Sequence, residues 1–106
     1  MNNTECCLII TTTDKLENAN DIISYLIENK LAACVQLDEI LSSFYWEKKL
    51  CQSKEFRLMI KTVSANYGAV EKAITKYHNY RLPEIIKLDI TSGLPQYLNW
   101  VKESLK

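Results

Sequence analysis

The segment 30–37 constrains the fold most, because the sequence changes there from a helical to a strand-like pattern. Apolar residues before it recur at helical spacing, namely Leu16, Ala19, Ile22, Ile23, Leu26 and Ile27. After it, a β-rich sequence continues to Trp46. We expect the helix to end at Asn29 and Lys30, since asparagine tolerates the left-handed conformation and lysine suits the negative end of the helix dipole.

Turn and capping signals divide the chain into seven elements. We predict strands at about 6–13, 31–46, 50–62 and 85–90, and helices at about 14–29, 64–79 and 95–105. Asp14, three residues before Glu17, resembles a capping box, and Ser64 is expected to cap the second helix. We also expect an irregularity at 38–39, within the second strand.

This order of elements predicts an α+β fold with the ferredoxin-like β-α-β-β-α-β plan and a C-terminal helix. Two split β-α-β units with right-handed crossovers give a four-stranded antiparallel sheet with both helices on one face. No repeat or linker interrupts the pattern, so residues 1–106 are predicted to form a single domain. The outer part of the long hairpin, 40–50, carries apolar residues that no other element can cover, which predicts self-association.

The composition argues against several classes of partner. Thirteen basic residues balance thirteen acidic ones, so the net charge gives no footprint for nucleic acid or an anionic membrane. No apolar run approaches the roughly 20 residues of a membrane span, and the first residues lack the basic start of a signal peptide. We expect a cytoplasmic protein with no nucleic-acid and no membrane partner.

The four cysteines, Cys6, Cys7, Cys34 and Cys51, are expected to be free thiols. Cys6 and Cys7 are adjacent on a predicted strand, so they point to opposite faces and cannot easily serve one metal together. A chain with this apolar pattern does not need disulfides for its stability. Four reduced thiols, most of them small core residues, fit a reducing compartment.

Catalytic motifs are absent from the sequence. His78 is the single histidine, and it could be a base, a metal ligand or an ordinary residue near a helix C-terminus. The two glycines, Gly68 and Gly93, form no phosphate-binding loop, and no nucleophile motif accompanies the cysteines. We expect no enzymatic activity; the alternative is an enzyme that uses His78 with a carboxylate such as Glu84.

Several motifs occur together in an order typical of one family. They are Leu31-Ala32-Ala33-Cys34-Val35, Ser43-Phe44-Tyr45-Trp46, Glu55 with Lys61-Thr62, His78-Asn79-Tyr80 with Pro83-Glu84-Ile85, and Tyr97-Leu98-Asn99-Trp100. With these motifs the chain resembles the CutA family of divalent-cation tolerance proteins, from about residue 8 to residue 105. The resemblance implies a non-enzymatic ferredoxin-like homotrimer, similar in plan to PII signalling proteins, that acts in the response to metal ions and stress.

The resemblance also implies weak binding of copper or another divalent cation. Two positions of proposed copper ligation correspond to Cys34 and His78, and a thiolate with an imidazole suits copper. A third position, a cysteine on the first strand of some members, falls on Thr11, whose hydroxyl is a poor copper ligand. The main alternative is a PII-like sensor or signalling protein with small-molecule clefts between subunits.

Overall fold

The computed structural model describes residues 5–106 and contains four strands and three α-helices in the predicted order. They are β1 (Cys6–Thr13), α1 (Leu16–Glu28), β2 (Cys34–Trp46), β3 (Lys49–Val63), α2 (Tyr67–Tyr77), β4 (Ile85–Asp89) and α3 (Pro95–Glu103). The strands form one sheet in the order β2-β3-β1-β4, and every neighbouring pair is antiparallel. The predicted α+β fold is therefore confirmed.

Helices α1 and α2 cover one face of the sheet and form the core with it. The fully buried apolar side chains come from both layers and include Ile9, Leu58 and Ile60 of the sheet and Ile22, Leu26, Val70 and Ile74 of the helices. Strand residues of one parity face the helices, which is why apolar residues alternate with polar ones along β3. Each large side chain buried in this way stabilises the fold by roughly 1.5–3 kcal/mol.

The other side of the sheet, called here the open face, carries the strand residues of the opposite parity. They include Leu8, Ile10, Thr12, Cys34, Glu55, Arg57, Met59, Lys61, Ile86 and Leu88. Helix α3 covers one end of this face, where Lys61 Nζ donates a hydrogen bond of 3.3 Å to Tyr97 Oη. Several apolar side chains of the open face stay half-buried or exposed.

Strands β2 and β3 form a continuous hairpin that extends beyond the sheet. Their register runs without interruption from Cys34 opposite Lys61 to Trp46 opposite Lys49, so the expected irregularity at 38–39 is wrong. Asp38 instead pairs with Arg57 through two hydrogen bonds of 2.8 and 3.2 Å, which suits a regular pair of strands. Strand β1 ends opposite Phe56, so residues 40–55 form a two-stranded ribbon, called here the outer hairpin.

The predicted helix caps are also wrong in detail, because tertiary contacts engage the side chains concerned. Lys15 is the N-cap of α1 and provides no side-chain hydrogen bond, whereas Asp14 Oδ1 accepts a hydrogen bond from Asn79 Nδ2 at 2.9 Å. Helix α2 begins only at Tyr67, after a 3₁₀ turn at Ser64–Asn66. At the end of α1, the left-handed residue is Lys30, with φ 55°.

The boundary between α1 and β2 also differs from the prediction. Strand β2 begins at Cys34, not at Leu31. The N–H groups of Leu31 and Ala32 both donate to Leu26 O, which fixes this segment to the end of α1 and keeps it out of the sheet. Within the part of the chain that the structure describes, no helix is long and apolar enough to cross a membrane.

Candidate functional site

His78 follows α2 directly and is held by hydrogen bonds at both ring nitrogens. Its Nε2 lies 2.6 Å from Thr12 O on β1, and its Nδ1 accepts the Tyr80 N–H at 3.0 Å. A neutral imidazole with its proton on Nε2 satisfies both bonds. A metal ion could bind this ring only after one of the two hydrogen bonds is broken.

Cys34 lies far from His78 within one subunit. It is half-buried at the start of β2, opposite Lys61, which in turn lies opposite Leu8 on β1. Thr12, whose carbonyl group contacts His78, lies four residues after Leu8 on β1, or about 13 Å along the strand. Cys34 lies two strands away from Leu8, or about 10 Å across the sheet, so Cys34 and Thr12 are about 16 Å apart. One metal ion cannot bind both Cys34 and His78 at this separation, because metal–ligand bonds measure about 2.0–2.3 Å.

Thr11 lies on the other face of the sheet from Cys34. It pairs with Leu58 beneath the helices and is fully buried. Its Oγ1 has no hydrogen-bond partner in the described chain. Among residues 5–106 no three His, Cys, Asp or Glu side chains come together in a group that could hold a metal ion. The residues implied by the resemblance therefore do not form a ready metal site within the chain that the structure describes.

Two of the remaining cysteines are poor candidates for ligands. Cys6 and Cys7 are buried, and burial raises the pKa of both thiols. The charge of Lys102 partly opposes this rise in pKa at Cys6. A hydrogen bond with Ser64 partly opposes it at Cys7. The thiolate is the form that binds metal, so a raised pKa weakens both as ligands. Cys51 is half-buried on the outer hairpin.

The structure does bring together a group of residues that the sequence patterns do not predict as a unit. The outer hairpin and the loop after α2 form the sides of an open cleft of about 1000 Å³, called here the hairpin cleft. It is lined by Thr12, Phe44, Trp46, Cys51, Glu55, Tyr80, Arg81, Leu82 and Glu84. Phe44, Trp46 and Leu82 expose large apolar surfaces to it.

A partly buried hydrogen bond between Glu55 and Tyr80 forms part of the wall of the hairpin cleft. Tyr80 Oη donates to Glu55 Oε2 at 2.7 Å. Burial, and then this hydrogen bond to the carboxylate, raise the pKa of Tyr80, so the phenol keeps its proton and stays a donor. The same loop is fixed through His78, whose ring packs on Tyr80 with the centroids 4.7 Å apart. Sequence spacing gives no signal for this pair, because 25 residues separate the two side chains.

The fold and these residues define a class of protein, an α+β ferredoxin-like protein with a projecting hairpin. Residues 7–104 match the family described as CutA1 divalent ion tolerance protein. The chain therefore belongs to the CutA divalent-cation tolerance family, which confirms the resemblance.

Known relatives match this chain over nearly its whole length. It is 37% identical to the divalent-cation tolerance protein CutA of Archaeoglobus fulgidus over 98 residues, which cover 92% of this chain and 96% of the relative. It is 32% identical to the Escherichia coli K12 (DH10B) protein of the same name over 105 residues, which cover 98% and 94%.

Solved structures of the family share the fold. The periplasmic divalent cation tolerance protein CutA from Archaeoglobus fulgidus has a TM-score of 0.90 at 36% identity, with 95% of this chain and 99% of that chain covered. CutA from Xylella fastidiosa has a TM-score of 0.91 at 33% identity, with 96% and 99% covered.

Proposed function

We propose that this chain acts in divalent-cation tolerance as a non-enzymatic, cytoplasmic homotrimer that binds divalent metal weakly. The observation that carries the proposal is the family match across residues 7–104, together with relatives named divalent-cation tolerance proteins. The fold adds support, since its two edge strands and projecting hairpin leave surfaces that self-association would cover.

The outer hairpin supports the proposed trimer. Tyr45 and Leu50 lie opposite each other on its outer side and are 71% and 74% exposed, and Leu41 on the same side is 65% exposed. An isolated two-stranded ribbon is only marginally stable in water, and unpaired strand edges favour pairing with another chain. Cyclic closure would cover the hairpin and both sheet edges of every subunit. The family resemblance sets the number of subunits at three.

Analytical ultracentrifugation of the parent and of Tyr45→Ala/Leu50→Ala tests the trimer. The parent should sediment at three times 12.3 kDa, about 37 kDa, at low micromolar concentration, and the double variant should dissociate or precipitate. Leu16→Ala/Ile27→Ala is the control, because it removes two exposed apolar side chains that belong to α1 and not to the outer hairpin. A well-folded parent monomer of 12.3 kDa would contradict the proposal.

For the metal, we propose Cys34 and His78 as ligands contributed by different subunits, since one subunit keeps them about 16 Å apart. Binding would be weak because His78 must first give up a hydrogen bond to Thr12 or Tyr80. Competition titrations with Cu(I) should show lower affinity for Cys34→Ser and His78→Ala than for the parent. Cys51→Ser is the control, because it removes a similarly half-buried thiol. Equal affinity in all four proteins would end the proposal.

A further inference from the structure

Glu55 carries a charge that its own chain leaves unpaired. It is the one charged side chain that is buried among residues 5–106, with 8% of its surface exposed. Tyr80 Oη donates a hydrogen bond to its Oε2, but no Lys or Arg nitrogen of the described residues forms an ion pair with it. A carboxylate that is removed from water without a cation is costly, so association that covers this region favours a cation from another copy of the chain.

Lys61 carries the opposite charge and also lacks an ion pair. It is half-buried on the open face, where its Nζ donates to Tyr97 Oη at 3.3 Å and lies 5.3 Å from the centre of that ring. Tyr97 is a neutral partner, and no carboxylate of residues 5–106 forms an ion pair with Lys61. An ammonium group has three N–H donors, so the contact with Tyr97 leaves donors for a carboxylate.

The other basic residues of the four strands are less suited to pair with Glu55. Three of them already form ion pairs with carboxylates of their own chain, namely Lys54, Arg57 and Lys87. Lys49 is exposed to solvent at the tip of the outer hairpin. Lys61 is therefore the one basic residue of the described strands that is both partly buried and without a carboxylate.

Glu55 and Lys61 cannot meet within one chain. Both lie on the open face of β3, six residues apart, which is about 20 Å along the strand. In a cyclic assembly each copy presents two different surfaces to its two neighbours. The Glu55 region of one copy can then face the Lys61 region of the next, and every copy uses both residues.

We propose that Glu55 of each copy forms an ion pair with Lys61 of the neighbouring copy in the proposed homotrimer. This ion pair depends on the proposed function and deepens it, because it names a contact that orients the copies. The exposed apolar residues of the outer hairpin supply the area for association, whereas a pair of complementary charges fixes the register of the interface.

Chemical cross-linking in mixed assemblies tests the contact directly. Chains labelled with a heavy nitrogen isotope and unlabelled chains are unfolded, mixed, refolded together and treated with a carbodiimide, which joins a carboxylate to an amine in direct contact. We expect an amide between a peptide that contains Glu55 and a peptide that contains Lys61, with one peptide labelled and the other not. Glu55→Gln should abolish this product, and Lys49→Gln should leave it unchanged.

A double-mutant cycle measures the coupling between the two charges. Glu55→Gln keeps an acceptor for Tyr80 Oη, and it and Lys61→Gln should each raise the concentration for half-dissociation at least about tenfold, measured by sedimentation in a fixed concentration of guanidinium chloride. The double variant should dissociate about as readily as either single variant, because one ion pair can be lost only once. In the matched control cycle, Glu55→Gln is combined with Lys49→Gln, and the two effects should be independent.

The results separate this ion pair from the proposed function. A parent that sediments as a trimer but gives no mixed-isotope amide would overturn the ion pair and leave the trimer standing. Effects of Glu55→Gln and Lys61→Gln that multiply in the double variant would also overturn it. A monomeric parent would overturn both proposals. If a variant fails to fold, the cross-link in the parent chain decides.

Discussion

Thr11 is predicted to be a position where removal of a hydroxyl group stabilises the protein. Its side chain is fully buried on central strand β1, between Leu58 of β3 and Ile85 of β4. The Oγ1 atom has no hydrogen-bond partner within residues 5–106. Thr11→Val replaces this hydroxyl with a methyl group and keeps the branched shape, which strands accommodate well.

The expected gain follows from two physical contributions. A buried hydroxyl without a partner costs roughly 1–3 kcal/mol of desolvation, which the change to valine removes. The new methyl group adds up to about 0.8 kcal/mol of apolar burial. We therefore expect Thr11→Val to raise the free energy of unfolding by about 1–3 kcal/mol per subunit.

Thr62→Val is the matched control, because it is the same chemical change on the same face of the sheet. Thr62 is also fully buried, but its Oγ1 donates to Leu31 O at 2.6 Å and accepts from Asn66 Nδ2 at 3.3 Å. Loss of the Thr62 hydroxyl group breaks both hydrogen bonds and leaves Leu31 O and Asn66 Nδ2 with fewer partners. We expect Thr62→Val to lower the free energy of unfolding by about 1–3 kcal/mol.

Unfolding in guanidinium chloride, followed by circular dichroism, measures both effects. The two midpoints should move in opposite directions by roughly 0.3–1 M. Parent and variants are compared at equal protein concentration, because the stability of the proposed trimer would depend on concentration. Destabilisation of similar size in both variants would show that the Thr11 hydroxyl has a partner, for example an ordered water, and would refute the reasoning.

Two further predictions concern the hairpin tip and the thiols. Lys48 has φ 65° at the tip, a conformation that glycine adopts without strain. Lys48→Gly should therefore raise the free energy of unfolding by roughly 0.5–1 kcal/mol, measured by thermal unfolding. Lys49→Gly, the control within β3, should lower it, and a loss of stability in Lys48→Gly would contradict the argument. The four cysteines are free in the structure; after anaerobic purification, the denatured mass should be identical with and without reductant, whereas a mass lower by four hydrogens would reveal two disulfides.

The sequence predicts the elements of this fold well, because each has a clear periodicity. The apolar stripe of α1 and the alternation along β3 both reflect burial on one side of the element, which local sequence encodes directly. The projecting hairpin was also predictable, because the number and length of the predicted elements leave none to cover its apolar residues. Even its departure from the sheet opposite Phe56 follows from the shorter length of β1.

Details that depend on tertiary partners were not predictable in this way. Asp14 has the right spacing for a capping box, but Asn79, 65 residues further along the chain, donates a hydrogen bond to its carboxylate. Glu55 and Tyr80 meet only because the loop after α2 folds back beside the hairpin. Whether a polar side chain is available to a ligand therefore depends on contacts between distant segments, which spacing along the chain does not encode.

The sheet itself limits how the implied metal positions can act together. Thr11 and Cys34 occupy opposite faces, so the backbone of the sheet lies between their side chains whatever residue stands at position 11. A cysteine at that position would be enclosed beneath α1 and α2, where burial disfavours the thiolate that binds metal. The hydroxyl of Thr11 is thus not the reason that the described chain lacks a ready site. The separation of Cys34 from His78 along and across the sheet is the controlling feature.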